Sequence, residues 1–342
     1  MKKILVTGGA GFIGSNLIRM MLDEYDGYDV VNLDVLSYSG NLENLAGCED
    51  NPRYSFIKGD VSDPDTASAA IAGCDAVLHL AAESHVDRSI TGPRPFVVAN
   101  TLGTQTILEA WRQGQGGEGA PFVYISTDEV YGSLPLENPE VRFTEDSPIV
   151  PSSVYSASKA AGDHLAHAYH HTYGMDVRIT RCSNNFGPYQ FPEKVIPLFV
   201  TNLMEDRKVP LYGDGLNVRD WIHVDDHARG ILAALEKGRG GEVYNLGSDN
   251  ERSNLELTHM ILDLMGKGKD SIEHVEDRLG HDRRYAIESA KAQRELGWKA
   301  ERSAWPEGLE KTVQWYRDNE EWWRRVKSGA YREYYEKQYS GR

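Results

Sequence analysis

Cysteine is scarce in this chain: 342 residues carry three, Cys48, Cys74 and Cys182. An odd, scattered set with no CxxC and no Cys/His spacing excludes a disulfide scaffold and a thiolate metal site, and it fits a reducing cytoplasm. Long apolar runs are missing too, so no segment reaches the length needed to span a bilayer. The opening Met1-Lys2-Lys3-Ile4-Leu5-Val6 has neither the apolar stretch nor the small-residue cleavage site of a signal peptide. Basic residues are outnumbered, 37 Lys and Arg against 52 Asp and Glu, for a formal net charge of −15. That balance argues against nucleic acid as the main partner. It leaves room for an anionic small molecule, which needs only a local group of Arg and Lys.

What the chain does contain is alternation. Ile4–Val6, Val30–Leu33, Tyr54–Lys58, Ala76–Leu80 and Phe122–Ser126 are short, apolar or β-branched, and bounded by Gly, Asp or Pro, so they read as strands. Phe12–Asp23, Thr66–Ala72, Pro95–Arg112 and Tyr155–Tyr173 read as helices. Strand–helix alternation at this spacing predicts a parallel sheet with helices on both faces and right-handed crossovers, an α/β doubly wound fold. Gln113–Gly119 is predicted as a surface loop. Further on, Val177–Arg181 and Val243–Leu246 suggest strands, and Asp225–Glu236 a helix opened by Asp225. Asn254–Met265 suggests another helix, with Asn254 as N-cap. The Trp- and Tyr-rich tail from Trp305 to Tyr339 reads as amphipathic helix that packs a small domain or an interface, with no catalytic role.

Thr7-Gly8-Gly9-Ala10-Gly11-Phe12-Ile13-Gly14 follows the first strand and opens the first helix. In this GxxGxxG spacing one glycine makes the tight turn, one lets the backbone approach a pyrophosphate, and one lets helix and strand pack closely. The helix N-terminus then offers unpaired N–H groups to the phosphates. Asp34 closes the second strand, where a carboxylate accepts hydrogen bonds from both ribose hydroxyls of NAD and repels the 2′-phosphate of NADP. Asp60, after the third strand, is placed to reach the adenine end. His85 and His223 have no paired ligand at fixed spacing, and no metal is expected.

Tyr155 and Lys159 stand at i and i+4, one above the other on a helix face. A Lys ammonium near a phenol favours the phenolate, so the pair predicts a tyrosine of lowered pKa that removes a hydroxyl proton as hydride leaves the same carbon. With the glycine fingerprint, Asp34, Asp60, the Leu80-Ala81-Ala82 turn and a fifth strand ending in Ser126-Thr127, the chain resembles the extended short-chain dehydrogenase/reductase family. The resemblance implies a Rossmann-type sheet with a smaller α/β C-terminal substrate domain. Residues 1–183, joined again by approximately 219–247, would form the NAD domain, and 184–218 with 248–342 the nucleotide-sugar domain. It also implies that Lys159 bonds the nicotinamide ribose, that Thr127 polarises the sugar oxygen, and that Phe12, Ile13, Ser37, Val61, Leu80, Ala81, Ala82, Ser84 and Asn185 line the NAD site.

Thr127-Asp128-Glu129-Val130-Tyr131-Gly132 narrows the class, because two adjacent carboxylates follow the active-site hydroxyl. Removing water from a sugar needs one group to take the C5 proton and another to protonate the C6 hydroxyl. Neighbouring like charges push two carboxyl pKa values apart, giving an acid and a base. Over essentially the whole chain the sequence resembles the dTDP-glucose 4,6-dehydratases. The likeness is carried by Leu33–Leu42, Ala82–Ser89, Arg181–Gln190, Pro192–Lys194, Arg219–Val224 and Gly280–Tyr285. Leu279 stands where that family usually has Pro, and Ala99 where a Thr often contacts NAD.

The resemblance implies C4 oxidation through Tyr155, C5 deprotonation by Glu129, C6 protonation by Asp128, then re-reduction at C6 with NAD recycled. The diphosphate would meet Arg219 and Arg278, with Lys194 and Asn184 near the glycosyl phosphate. Asn254, Pro210 and Tyr212 would border the base, and Ser84, Thr127, Glu193 and His281 would complete the substrate contacts. It further implies a homodimer through the Pro95–Arg112 and Tyr155–Tyr173 helices. Open alternatives are a UDP-glucose 4,6-dehydratase, a sugar-nucleotide 4-epimerase or UDP-glucuronate decarboxylase, and an NAD-sensing regulator.

Overall fold

The computed structural model describes residues 1–114 and 119–328. Part of the predicted Gln113–Gly119 loop, and the predicted tail helix beyond residue 328, lie outside the described residues. The first part runs β1 (Lys2–Thr7), α1 (Phe12–Asp23), β2 (Tyr28–Asp34), β3 (Tyr54–Lys58), α2 (Pro64–Ile71), β4 (Ala76–His79), α3 (Val86–Thr91). α4 (Arg94–Phe96) passes through a π-helical stretch, Val97–Gly103, into α5 (Thr104–Gly114). Then come β5 (Phe122–Thr127), α6 (Val154–Tyr173) and β6 (Val177–Cys182). The predicted helix over 95–112 is thus present but wider, with a π segment that periodicity does not reveal.

The chain next leaves the sheet as β7 (Asn184–Phe186), α7 (Val195–Met204), β8 (Val209–Tyr212) and β9 (Val218–His223). It returns with α8 (Val224–Lys237) and β10 (Val243–Leu246), then leaves again as β11 (Glu251–Ser253), α9 (Asn254–Met265) and β12 (Ile272–Val275). It ends with α10 (Ala290–Leu296), α11 (Glu307–Asp318) and α12 (Glu320–Val326). The large sheet has seven parallel strands in the order β10-β6-β5-β4-β1-β2-β3. A three-stranded sheet, β11-β9-β7, and a parallel pair, β12-β8, belong to the second part. β9 therefore pairs in the small sheet, and the return to the large one begins with α8.

Side chains alternate across the large sheet as strand geometry requires. Ile4 and Val6 face a core formed with Leu17 and Ile18 of α1, Ile231 of α8 and Leu296 of α10. Leu5 faces the other layer, with Ala67 of α2, Trp111 of α5 and Ala166 of α6. A separate core joins α7, α9, α11 and α12 through Phe199, Ile261, Leu309 and Trp323. The order reverses between β1 and β4, which opens a crevice at the carboxyl ends of the strands, where ligands of such sheets bind.

Two helix starts differ from expectation. Ser253, not Asn254, caps α9: its hydroxyl accepts from Glu256 N–H, while Glu256 accepts from Ser253 N–H at 2.8 Å, a reciprocal box that Asn254 has no part in. α8 is capped by His223, whose ring accepts from Asp225 N–H. α12 also reaches back to the turn before α1. Trp322 Nε1 donates to Asn44 Oδ1 at 3.0 Å, and Asn44 Nδ2 donates to the Ala10 carbonyl at 3.0 Å.

Candidate active site

One cavity of about 450 Å³ runs along the crevice from the glycine turn to the end of β5 and the 184–194 segment. It begins at a turn that only glycine can make. Gly8 has φ +73°, and a Cβ there would lie 2.8 Å from Ala81 Cα. A Cβ on Gly14 would lie 2.3 Å from the Gly8 carbonyl oxygen. α1 begins at Gly11 with no side-chain cap, so its first N–H groups remain for an anion. Asp34 stands beyond, buried, accepting from Ala10 N–H at 2.9 Å and Leu36 N–H at 2.8 Å. Burial raises its carboxyl and these two bonds lower it, the burial being the larger influence. The cradle fits a dinucleotide with an unphosphorylated ribose. Phe12, Ile13, Ser37, Asp60, Val61, Leu80, Ala81, Ala82, Ser84 and Asn185 also line it. Asp60 is turned to Ser62, whose N–H and hydroxyl donate to it at 2.8 Å.

At the other end the cavity is lined by Thr127, Asp128, Glu129, Tyr155 and Lys159. β5 delivers Thr127, a 3-10 turn over Asp128–Tyr131 carries the two acids, and α6 presents Tyr155 and Lys159. The Thr127 hydroxyl accepts from Glu129 N–H at 3.3 Å, donates to Asp128 Oδ1 at 3.3 Å and touches the Tyr155 phenol. Asp128 Oδ2 is buried without a hydrogen-bond partner. Burial, then the charges of Glu129 and Asp220, hold the Asp128 carboxyl well above the usual range. Burial raises Glu129 too, but Arg278, Lys194 and Arg219 pull it back. The two neighbours therefore differ as an acid and a base must.

The expected lysine effect on the phenol is absent from the chain's own charges. Lys159 Nζ donates to the Ile125 carbonyl at 2.7 Å and lies 4.2 Å over the Tyr124 ring. Burial pushes Lys159 down to about 8. The Tyr155 phenol is raised well above its ordinary value by burial and by Glu129. The sequence spacing predicts a phenolate; among the protein's own groups, burial and the Glu129 charge act the other way, toward the phenol.

Among the expected substrate contacts, Ser84, Thr127, Asn184, Glu193 and Lys194 line this cavity. Asn184 Oδ1 is buried with no hydrogen-bond partner, and Lys194 Nζ donates to the Ser84 carbonyl at 2.9 Å. The Glu193 carboxylate is taken up by Arg88 Nε at 3.0 Å, which ties the segment before α7 to α3. Tyr212, Arg278 and His281 gather outside the cavity lining. Tyr212 OH donates to Asp87 Oδ2 at 3.0 Å, Arg278 Nη1 lies 4.0 Å from Asp87 Oδ1, and the Tyr212 and His281 rings are 6.3 Å apart. Arg219 is buried, bonded to the Val218 and Asp282 carbonyls at 2.7 and 2.9 Å and stacked 4.2 Å over Tyr285. Pro210 and Asn254 do not line the cavity: Pro210 pairs with Glu273 between β8 and β12, and Asn254 opens α9.

Residues the sequence reading did not assign include Ser126, Cys182, Gln190 and Phe191 in the cavity wall, and Asp87 and Arg88 behind it. The last two sit inside the Ala82–Ser89 motif, which was the available signal. Among the described residues no group of three His, Cys, Asp or Glu side chains could hold a metal, and no helix is long and apolar enough to cross a membrane.

A doubly wound sheet with a dinucleotide cradle, a Tyr/Lys pair and two adjacent acids at one cavity end defines an NAD-dependent nucleotide-sugar enzyme of the extended short-chain dehydrogenase/reductase class. The family model described as GDP-mannose 4,6 dehydratase matches residues 5–312. dTDP-glucose 4,6-dehydratase of Streptomyces niveus is 51% identical, covering 95% of this chain and 96% of that one. The Escherichia coli enzyme of the same name is 47% identical with 99% of both covered. The crystal structure of DesIV, a dTDP-glucose 4,6-dehydratase from Streptomyces venezuelae with NAD bound, has a TM-score of 0.90 at 49% identity, covering 95% of this chain and 99% of that one. UDP-glucuronic acid 4-epimerase from Bacillus cereus gives 0.85 at 31% identity, covering 92% and 99%. The chain belongs to the dTDP-glucose 4,6-dehydratase family.

Proposed function

We propose that this protein converts dTDP-glucose to dTDP-4-keto-6-deoxyglucose and water, with NAD held by the glycine turn and Asp34. The observation that carries the reading is the contiguous pair Asp128 and Glu129, which line the same cavity as Tyr155 and Lys159. A 4-epimerase needs no such pair. When bound, NAD supplies the nicotinamide charge that favours the phenolate, takes hydride from C4 and returns it to C6. Tyr155 accepts the C4 hydroxyl proton, and the resulting 4-ketone acidifies C5–H. Glu129 removes that proton while Asp128 gives its own to the C6 hydroxyl, which leaves as water. Glu129 then returns the proton to C5. The balance leaves one proton gained at Tyr155 and one lost at Asp128, and the Thr127 hydroxyl, in contact with both, offers the route between them.

Arg278, Arg219 and Lys194 supply the positive charge for the diphosphate. The exposed Val97, Leu102, Val154 and Tyr173 on the 94–114 helix and α6 support a homodimer through these helices. A cytoplasmic setting agrees with three buried free thiols. Incubation with dTDP-, UDP- and GDP-glucose, followed by base, tests the reaction: the 4-keto-sugar absorbance is expected with dTDP-glucose. An epimerised product with no such absorbance would reject it.

A further inference from the structure

Behind the cavity lies a buried polar chain that lines no part of it. Asp163 sits on α6, one turn beyond Lys159, and its Oδ2 accepts from Arg181 Nε on β6 at 2.8 Å. Arg181 Nη1 donates to the Tyr131 hydroxyl at 2.8 Å, and that hydroxyl donates to Asn245 Oδ1 on β10 at 2.8 Å. All four residues are at most 4% exposed. Tyr131 is the last residue of the 3-10 turn that begins with Asp128. Its ring stacks on Phe143 with centroids 5.0 Å apart. The same turn is tied by Val150 N–H to the Val130 carbonyl at 3.0 Å, and it closes on Gly132, at φ +89°, where a Cβ would lie 2.4 Å from the Val150 carbonyl oxygen.

The chain thus joins the turn that carries the two acids to the helix that carries Tyr155 and Lys159. Stability alone is a poor account of it, because a buried ion pair loses in desolvation much of what it gains in attraction, and apolar side chains of similar size pack as well. What such a network provides is a fixed geometry. We propose that Tyr131 and Arg181, anchored by Asp163 and Asn245, are positioning residues that set the acid–base turn against the oxidising helix, and that water elimination depends on them more than C4 oxidation does. The asymmetry follows from the attachment. Tyr155 and Lys159 ride on a 20-residue helix that is also held by its packing on β5, β6 and α5, whereas Asp128 and Glu129 ride on a four-residue turn whose last side chain is the anchor.

This inference rests on the reaction proposed above, and the test separates the two. Tyr131→Phe removes one hydroxyl and leaves the ion pair intact. NAD-loaded enzyme is mixed with dTDP-glucose, quenched rapidly, and the sugar nucleotides are read by mass. The variant is expected to form the 4-keto hexose that still carries its C6 hydroxyl at the unaltered rate, and to lose water from it roughly 10- to 100-fold more slowly, as a misplacement of about an ångström costs. KM should not change. Asn245→Ala, which frees the same hydroxyl from its other side, should act in the same direction and decides the matter if Tyr131→Phe does not fold. Water loss at the unaltered rate in both variants would overturn the proposal, as would an equal slowing of oxidation and elimination. An unaltered enzyme that forms no 4-keto sugar would sink the reaction itself, and the inference with it.

Discussion

Asp128 and Glu129 are chemically similar and adjacent, yet they face different surroundings. Glu129 is answered by three cations, Asp128 by Arg219 and a threonine hydroxyl against two negative neighbours. A carboxyl raised in the folded state favours folding most at low pH and gives that contribution up as pH rises through its folded value. Asp128→Asn keeps the shape and removes the titration. Its dehydration rate is expected to fall about 10²- to 10⁴-fold, while its melting temperature exceeds that of the unaltered protein at pH 8, the gap narrowing toward pH 5. A scan of melting temperature against pH checks this; a gap that widens toward low pH would contradict the assignment. Glu129→Gln is expected to abolish wash-in of solvent deuterium at C5 while C4 oxidation continues, read by mass of quenched sugars. At this scale the sequence named side chains that the structure brings to one end of the cavity, since their spacing is local. The spacing could not show that Lys159 also donates to the Ile125 carbonyl, which comes from another element, 34 residues away.

The glycine turn shows how an element converts a missing side chain into a site. Gly14 sits where helix and turn cross, and a methyl group there would meet a backbone carbonyl that cannot yield. Gly14→Ala is expected to weaken NAD binding at least about tenfold and to lower the melting temperature, since the strain must move α1 or β1. Titration calorimetry with NAD and a thermal melt measure both effects. The strands of the large sheet were legible because most are short apolar runs buried on both faces, β3 at the edge being only partly buried. The second part was legible only in pieces. β7, β11 and α3 are three to six residues long, too short for a period to declare itself. α7 is apolar nearly all round because it is buried in the smaller core, so it shows no stripe to read. Ser253 lost its place as cap to Asn254 in the sequence reading because both are capping residues; Glu256, three positions after Ser253, is the partner that distinguishes them.

Across the whole molecule, cavity and outer contacts are built by both parts of the chain: the large sheet supplies the cofactor turn and the acids, while Arg278 and Tyr212 come from the smaller part and meet Asp87 of α3. Sequence spacing could not show that meeting, since 125 positions separate Tyr212 from Asp87. The homodimer proposed above belongs to this scale. Leu102, 49% exposed on the 94–114 helix, is expected to be covered by the second copy. Leu102→Asp should shift sedimentation from dimer to monomer with little loss of monomer stability, because the residue packs against water in the single chain. An unaltered sedimentation coefficient would rule this helix out as the interface.

The tie from Trp322 through Asn44 to the Ala10 carbonyl carries a consequence for synthesis. Translation delivers the glycine turn long before the indole that braces it, so the NAD pocket stays unfinished until α12 clears the ribosome. A nascent chain halted before that point would own every residue of the fingerprint and still lack its buttress.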